Sequence, residues 1–461
     1  MDTNSRYLLG VEGLEDLVPL LPGSIVVLAG PPGVGKTTIA LSTLCRNALE
    51  RGVKGLYITI AETREKLLLK AEKIGCNIKE LMNKGLVKVT SLAVISGSEF
   101  VDHVTKYMLA EDISGDYDIV VLDNVTAVLK ALKEYDRQRT WLQTTLYNIA
   151  SGGRKILILI AEAVELGAPE LLLAEYVADV ALELEEKPNP RCPVPSYDKY
   201  LFVRKHRFAP TPGKPFLIAI DEKGVRALGH IRGDKAQKLL AKRKPLKVEC
   251  ELLRRILGDR IESGTLILLL NKKPGQIWIS HKLRLLDIFR WMVYESGLTA
   301  AYITYDKNKY DAAIKALERT QHPTKQALKV IEYVDPCNTT PGYLTTLEHD
   351  LITREEIDIL CLDSVEKLAE TLGFECITPY LNTVFTLQKN LGVTTLRIYN
   401  LYNESRYPLV YTLWSDVVIE IDLDEKGRIL YRFMKAPGQT LPKPPVIYEE
   451  ELEECTRKHQ C

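Results

Sequence analysis

The chain is written in short, nearly continuous apolar runs separated by longer amphipathic stretches. Ser24–Ala29, Gly55–Ile60, Asp118–Asp123, Ile156–Ala161 and Ala178–Leu184 are rich in Val, Ile and Leu. Five or six such residues without polar alternation predict strands covered on both faces, as in a parallel sheet with helices on either side. Between the first two runs, Thr37 to Arg51 carries helix-forming residues and stops at Gly52; Thr63 to Lys73 has the same character after the second. The alternation predicts an α/β unit with a mostly parallel, twisted sheet flanked by helices.

The pattern then repeats. Gly264–Leu270, Ala301–Tyr305, Asp358–Val365 and Ser415–Ile421 parallel the first, second, third and last of those runs, in the same order. Four matched strands indicate a tandem duplication, and 461 residues suit two domains. The expected division is a first domain over 1–230, a basic linker over 231–249, a second domain over 250–440, and a Pro-rich then acidic tail over 441–461. Arg232 to Lys247 reads as a solvated linker helix, with docking onto nucleic acid or onto the acidic tail as the alternatives; the tail, with Glu449, Glu450, Glu451, Glu453 and Glu454, reads as an extended, mobile C-terminus able to contact a partner.

Composition narrows the function classes. Lys plus Arg and Asp plus Glu are 61 each, so no global basic charge supports nucleic-acid binding. Nine scattered cysteines without a CxxC pair suit reduced thiols in a cytoplasmic protein. No apolar run approaches the ~20 residues of a membrane span.

The decisive chemistry follows the first strand. Gly30-Pro31-Pro32-Gly33-Val34-Gly35-Lys36-Thr37-Thr38 is GxxxxGK[ST] between a strand and a helix. Glycines let successive amide N–H groups turn toward a β-phosphate, and the helix N-terminus adds its positive end. Lys36 can reach the β- and γ-phosphates, and the Thr37 hydroxyl can complete a Mg²⁺ shell. ATP and Mg²⁺ are the implied ligands. A second magnesium carboxylate is expected at a neighbouring strand end, where Asp123 stands. Glu62, at the end of the second strand, is the candidate to orient water; a solvated glutamate opening a helix is the alternative. Glu162, at another strand end, could sense the γ-phosphate or be simply exposed.

These segments together resemble the KaiC branch of the RecA superfamily. The resemblance runs from Gly10-Val11-Glu12-Gly13-Leu14-Glu15-Asp16-Leu17 through the phosphate loop, Tyr57–Thr63, Val121–Thr126 and Ala178–Leu184 to Lys205-His206-Arg207 and Pro215–Ile218, about residues 8 to 228. It implies two tandem RecA-like domains and an ATP-hydrolysing homo-oligomer, usually a hexameric ring. In such a ring Lys205 and Arg207 act on the neighbouring subunit's γ-phosphate. The family carries two adjacent glutamates after the second strand; here the first is Ala61, which implies slow hydrolysis. In the second copy Asn271-Lys272-Lys273-Pro274-Gly275-Gln276-Ile277-Trp278 replaces the loop, with no lysine or hydroxyl in place. Asp363 there is expected to be a strand-end residue. That half reads as a scaffold open to protein partners, and the family's second-domain autokinase activity is expected to be absent. A DNA repair ATPase and a non-hydrolysing ATP-gated platform are the rival functions.

Overall fold

A computed structural model describes residues 7–60, 62–92, 98–114, 117–162, 169–189, 192–193, 197–277, 283–319, 326–403, 408–437, 439–440 and 443–457. The chain divides into two compact units. One comprises Met1–Pro188 with Tyr197–Gly233, the other Asn189–Ser196 with Asp234–Cys461.

The first unit is built on β1 (Ile25–Gly30), β2 (Gly55–Thr59), β3 (Val87–Ser91), β4 (Ile119–Asp123), β5 (Ile156–Glu162), β6 (Val180–Pro188), β7 (Tyr197–His206), β8 (Phe216–Asp221) and β9 (Gly224–Ala227). Their order is β3-β2-β4-β5-β1-β6-β7-β8-β9. The strands from β3 to β6 run parallel, and β7, β8 and β9 are added antiparallel. Both faces of the central strands are covered, which is why no polar alternation marks them. Val26 and Leu28 pack into one apolar cluster, while Ile25, Val27 and Ala29 pack into another on the opposite face. Helix α1 (Lys36–Arg51) follows β1 and ends at Gly52 in a left-handed turn. Helix α2 (Arg64–Lys73) follows β2, with Thr63 as its N-cap accepting from the Lys66 amide.

The second unit has β10 (Leu246–Lys247) paired with β11 (Arg260–Ile261). Its main sheet holds β12 (Leu266–Asn271), β13 (Ala300–Thr304), β14 (Leu328–Tyr333), β15 (Ile359–Asp363), β16 (Thr394–Asn400), β17 (Val417–Leu423), β18 (Ile429–Ala436), β19 (Gln439–Thr440) and β20 (Val446–Tyr448). The order β14-β13-β15-β16-β12-β17-β18 repeats that of the first unit strand for strand, again parallel as far as β17. Two tandem α/β units of RecA-like topology are therefore present.

Three expectations change. The linker helix is solvated along one side only, where Lys238, Lys242, Lys244 and Lys247 are exposed. Leu239 and Leu246 are buried, Lys242 pairs with Glu356, and the Arg243 guanidinium is sequestered against Asp358 and the Ile357 carbonyl. Arg243 is an anchor within the second unit, because an arginine stem can bury while its head meets carbonyls and a carboxylate. Nor is the tail extended. β20 pairs with β18, Glu449 accepts from the Arg284 amide and the Tyr431 hydroxyl, and Leu452 is fully buried. Finally, six cysteines are crosslinked rather than reduced: Cys45–Cys76, Cys192–Cys376 and Cys250–Cys455. Cys455 thereby ties the tail to the start of the second unit. Cys337 and Cys361 are free. No helix among the described residues is long and apolar enough to cross a membrane.

Candidate nucleotide site

The C-terminal ends of the parallel strands form one edge of the first sheet, the usual ligand-binding edge of open α/β sheets. Gly30 at the end of β1 is level with Glu162 of β5, and Asp123 at the end of β4 is level with Thr59 of β2. The loop from Gly30 to Gly35 leaves this edge and enters α1. Its glycines are favoured by positive φ at Gly30, Gly33 and Gly35, and at Gly30 by a close backbone approach as well. A Cβ on Gly30 would lie 2.3 Å from the Leu184 carbonyl oxygen, and one on Gly35 would lie 2.6 Å from Ile220 Cδ1, both at positive φ. Pro31, Pro32 and Gly33 are exposed at the crest, Val34 is buried as the loop's anchor, and Thr38 is half-buried on α1.

Lys36 is buried in the loop, and its ammonium donates to the Gly30 and Pro31 carbonyls at 2.8 Å each. Burial lowers its pKa, an effect opposed by the Glu162 and Asp123 carboxylates. A phosphate would draw this cation more strongly than two neutral carbonyls do. The Thr37 hydroxyl donates to Asp123 Oδ2 at 3.0 Å, which joins the two proposed magnesium residues directly. Asp123 is itself buried, and burial raises its pKa above the usual aspartate value, while donors from Tyr57 and Thr37 pull it back. The residues present therefore fit a metal-bound nucleotide: a glycine cradle, a lysine, and a hydroxyl already joined to a carboxylate.

Glu62 stands beside this group. Its amide donates to Thr59 Oγ1 at 3.1 Å, and Lys70 of α2 reaches its Oε1 at 2.5 Å. The other oxygen, Oε2, is buried without a hydrogen-bond partner. Glu62 thus precedes the helix cap instead of opening the helix, and one of its oxygens is kept for another donor. Its neighbour Ala61 lies outside the described residues.

Lys205 and Arg207 are not part of this cluster. Lys205 donates to the Glu175 and Tyr176 carbonyls, and Arg207 pairs with Asp179 at 3.1 Å. Lys205 is level with Ala181 and through it with Val27, three residues before Gly30. At ~3.3 Å per residue this is ~10 Å down the sheet from the loop of the same chain.

Sequence reasoning overlooked Tyr57. Its side chain is fully buried, and its hydroxyl donates to Asp123 Oδ2 at 2.6 Å. A signal existed: tyrosine occupies the same place in both repeats, Leu56-Tyr57-Ile58-Thr59 and Ala301-Tyr302-Ile303-Thr304.

The corresponding edge of the second unit is closed by its own side chains. Asn271 stands where β1 has Gly30, and its amide donates to the Ile277 carbonyl and Asn400 Oδ1. Asp363 receives Tyr302 at 2.8 Å and the buried Lys309 ammonium at 2.6 Å. Glu366 accepts from the Asn400 amide and side chain, and burial raises its pKa to about 7. Trp278, at the end of the altered loop, lies outside the described residues.

Comparison with known proteins agrees with this geometry. The family model "ATPase: KaiC" matches residues 8–230. Residues 8–230 form a KaiC-type ATPase domain. The circadian clock protein KaiC2 of Synechocystis is 20% identical over 48% of this chain and 39% of that protein. DNA repair protein RadA of Mycolicibacterium smegmatis is 29% identical over 39% of this chain and 37% of its own. RadA of Mycobacterium tuberculosis is 42% identical over a stretch covering 14% of each chain. The chain thus spans well under half the length of these relatives. Both sets of names belong to RecA-like ATPases, and ATP is the ligand that the KaiC-type domain implies.

Proposed function

We propose that the first unit binds ATP with Mg²⁺ and hydrolyses it slowly to ADP and phosphate, each turnover driving or timing a change in a homo-oligomer. The reading rests on one observation: Thr37, Asp123 and Glu62 converge beside the Lys36 loop at a single sheet edge. The loop amides and Lys36 bind the β- and γ-phosphates and withdraw negative charge from them. Thr37 and Asp123 hold the metal. Bound Mg²⁺ would neutralise phosphate charge as the terminal bond loosens. Glu62 accepts a hydrogen bond from the attacking water on its unpartnered Oε2 and orients it, with Lys70 holding the other oxygen. Lys205 and Arg207, remote from the loop of their own chain, act on the γ-phosphate of an adjoining subunit. The second unit is a scaffold without a nucleotide.

Steady-state ATP turnover of the wild type beside Glu62→Gln and Lys36→Ala, over a range of protein concentration, tests this reading. Both variants should lose roughly a hundredfold or more, Glu62→Gln while still binding ATP. Specific activity should rise with concentration as sites are completed between chains. Tight binding without turnover above Lys36→Ala would refute the enzyme and leave an ATP-gated platform. Turnover raised by single-stranded DNA would instead favour the role that the RadA names carry.

A further inference from the structure

The two units hold the same carboxylate in the same way and differ in what meets its second oxygen. In the first, Tyr57 and Thr37 both donate to Asp123 Oδ2, and among the described residues no donor falls on Oδ1. In the second, Tyr302 donates to one oxygen of Asp363 and the Lys309 ammonium meets the other. Lys309 stands three residues beyond Asp306, whose carboxylate accepts from its amide. The equivalent helix position in the first unit, three beyond the Thr63 cap, is Lys66, which is exposed. The unit that lost its phosphate loop carries a built-in cation, whereas the unit that kept the loop leaves that oxygen open. The tyrosine–aspartate bond is common to both, so it does not depend on a ligand.

We propose that Tyr57 is a positioning residue for the metal. Its hydroxyl fixes the Asp123 carboxylate so that one oxygen is committed to the protein and the other is presented to the cation. This rests on the nucleotide-site reading above. The burial of Tyr57 makes the arrangement rigid: the ring packs in the core against the sheet, and its hydroxyl can lie only beside the β4 terminus. Partners of this kind, which orient a metal ligand without touching the metal, commonly govern affinity by 10- to 100-fold.

The test is direct binding of a fluorescent ATP analogue to the full chain, with and without Mg²⁺, for wild type, Tyr57→Phe, Asp123→Asn and Tyr302→Phe. Tyr57→Phe removes one oxygen and keeps the ring. It should cut the Mg²⁺-dependent gain in affinity by roughly tenfold or more while metal-free affinity and thermal midpoint stay near wild type. Manganese titrated by electron paramagnetic resonance should show the same weakening. Tyr302→Phe, which removes the matching hydroxyl from the second unit, should leave Mg²⁺ dependence unchanged. If Tyr57→Phe keeps the full Mg²⁺ gain while Asp123→Asn loses it, Tyr57 is only structural and the proposal falls alone. An equal loss in Tyr302→Phe would trace the effect to general destabilisation and also overturn it. If Asp123→Asn too retains the gain, the metal-site reading fails, and this proposal with it.

Discussion

The Cys45–Cys76 bond should set much of the stability of the ATPase unit. It joins α1, which carries the phosphate loop, to the segment after α2, across 31 residues that include β2 and Glu62. Both side chains lie in the core, at 2% and 4% exposure, with Cα atoms 6.1 Å apart, inside the ordinary range for a disulfide. Closing a loop of this length in the unfolded chain removes conformational entropy worth about 3.7 kcal/mol at 25 °C in the chain-entropy treatment. Cys45→Ala/Cys76→Ala should therefore raise the opening rate of the most protected amides of β1 and α1 by a few hundredfold in native-state hydrogen exchange. Peptide-level readout confines the measurement to the first unit, and wild type in reductant should match the variant there. Thiol titration of the unfolded chain should find six fewer thiols before reduction than after, in agreement with three bonds. Exchange within about threefold of wild type in both reductant and variant would refute the entropic argument for this unit.

Asp123 gives a pH signature. Its pKa is raised by burial, so it takes up its proton at a higher pH than an ordinary aspartate. Mg²⁺-supported ATP binding should weaken on acidification, beginning above the usual aspartate range near ~3.9. The stability contribution has the opposite sign: a raised folded-state pKa stabilises at low pH and is lost as pH rises through that pKa. Asp123→Asn should remove both trends in binding titrations and melting curves. Lys309→Met should destabilise the second unit by about 3–5 kcal/mol, because it leaves the buried Asp363 without its cation; calorimetry of the full chain would show a lower second-unit transition. Lys36→Ala and Arg207→Ala chains, each inactive alone, should recover turnover when mixed, and no recovery would argue against sites completed between chains.

What was legible in the sequence was legible for physical reasons. Strands such as Ile25–Gly30 are covered on both faces and so advertise themselves by composition, and the phosphate loop has a spacing that its chemistry dictates. Such features are local. Tyr57 was not legible as a site residue because a tyrosine in a buried strand reads as core until the end of β4 is brought beside it. The cysteine pairs join positions 31, 184 and 205 residues apart, and proximity across such distances is a property of the fold alone. Charge runs misled in the tail and, at Arg243, in the linker. Arg243 and Glu449 are anchors, and the quieter signal lay in the apolar residues between the charges, Leu239, Leu246, Ile447 and Leu452, all buried.

Lys309 has a consequence for how the two units share one environment. An ammonium fixed to the backbone cannot be chelated, diluted or exchanged for another ion. On the function proposed above, the edge of the second sheet is indifferent to magnesium supply and to the ratio of ATP to ADP, whereas the edge of the first follows both. One chain then carries a responsive element and an invariant copy of it. A covalently held cation stands in the second unit at the place where, on that proposal, the first holds an exchangeable one.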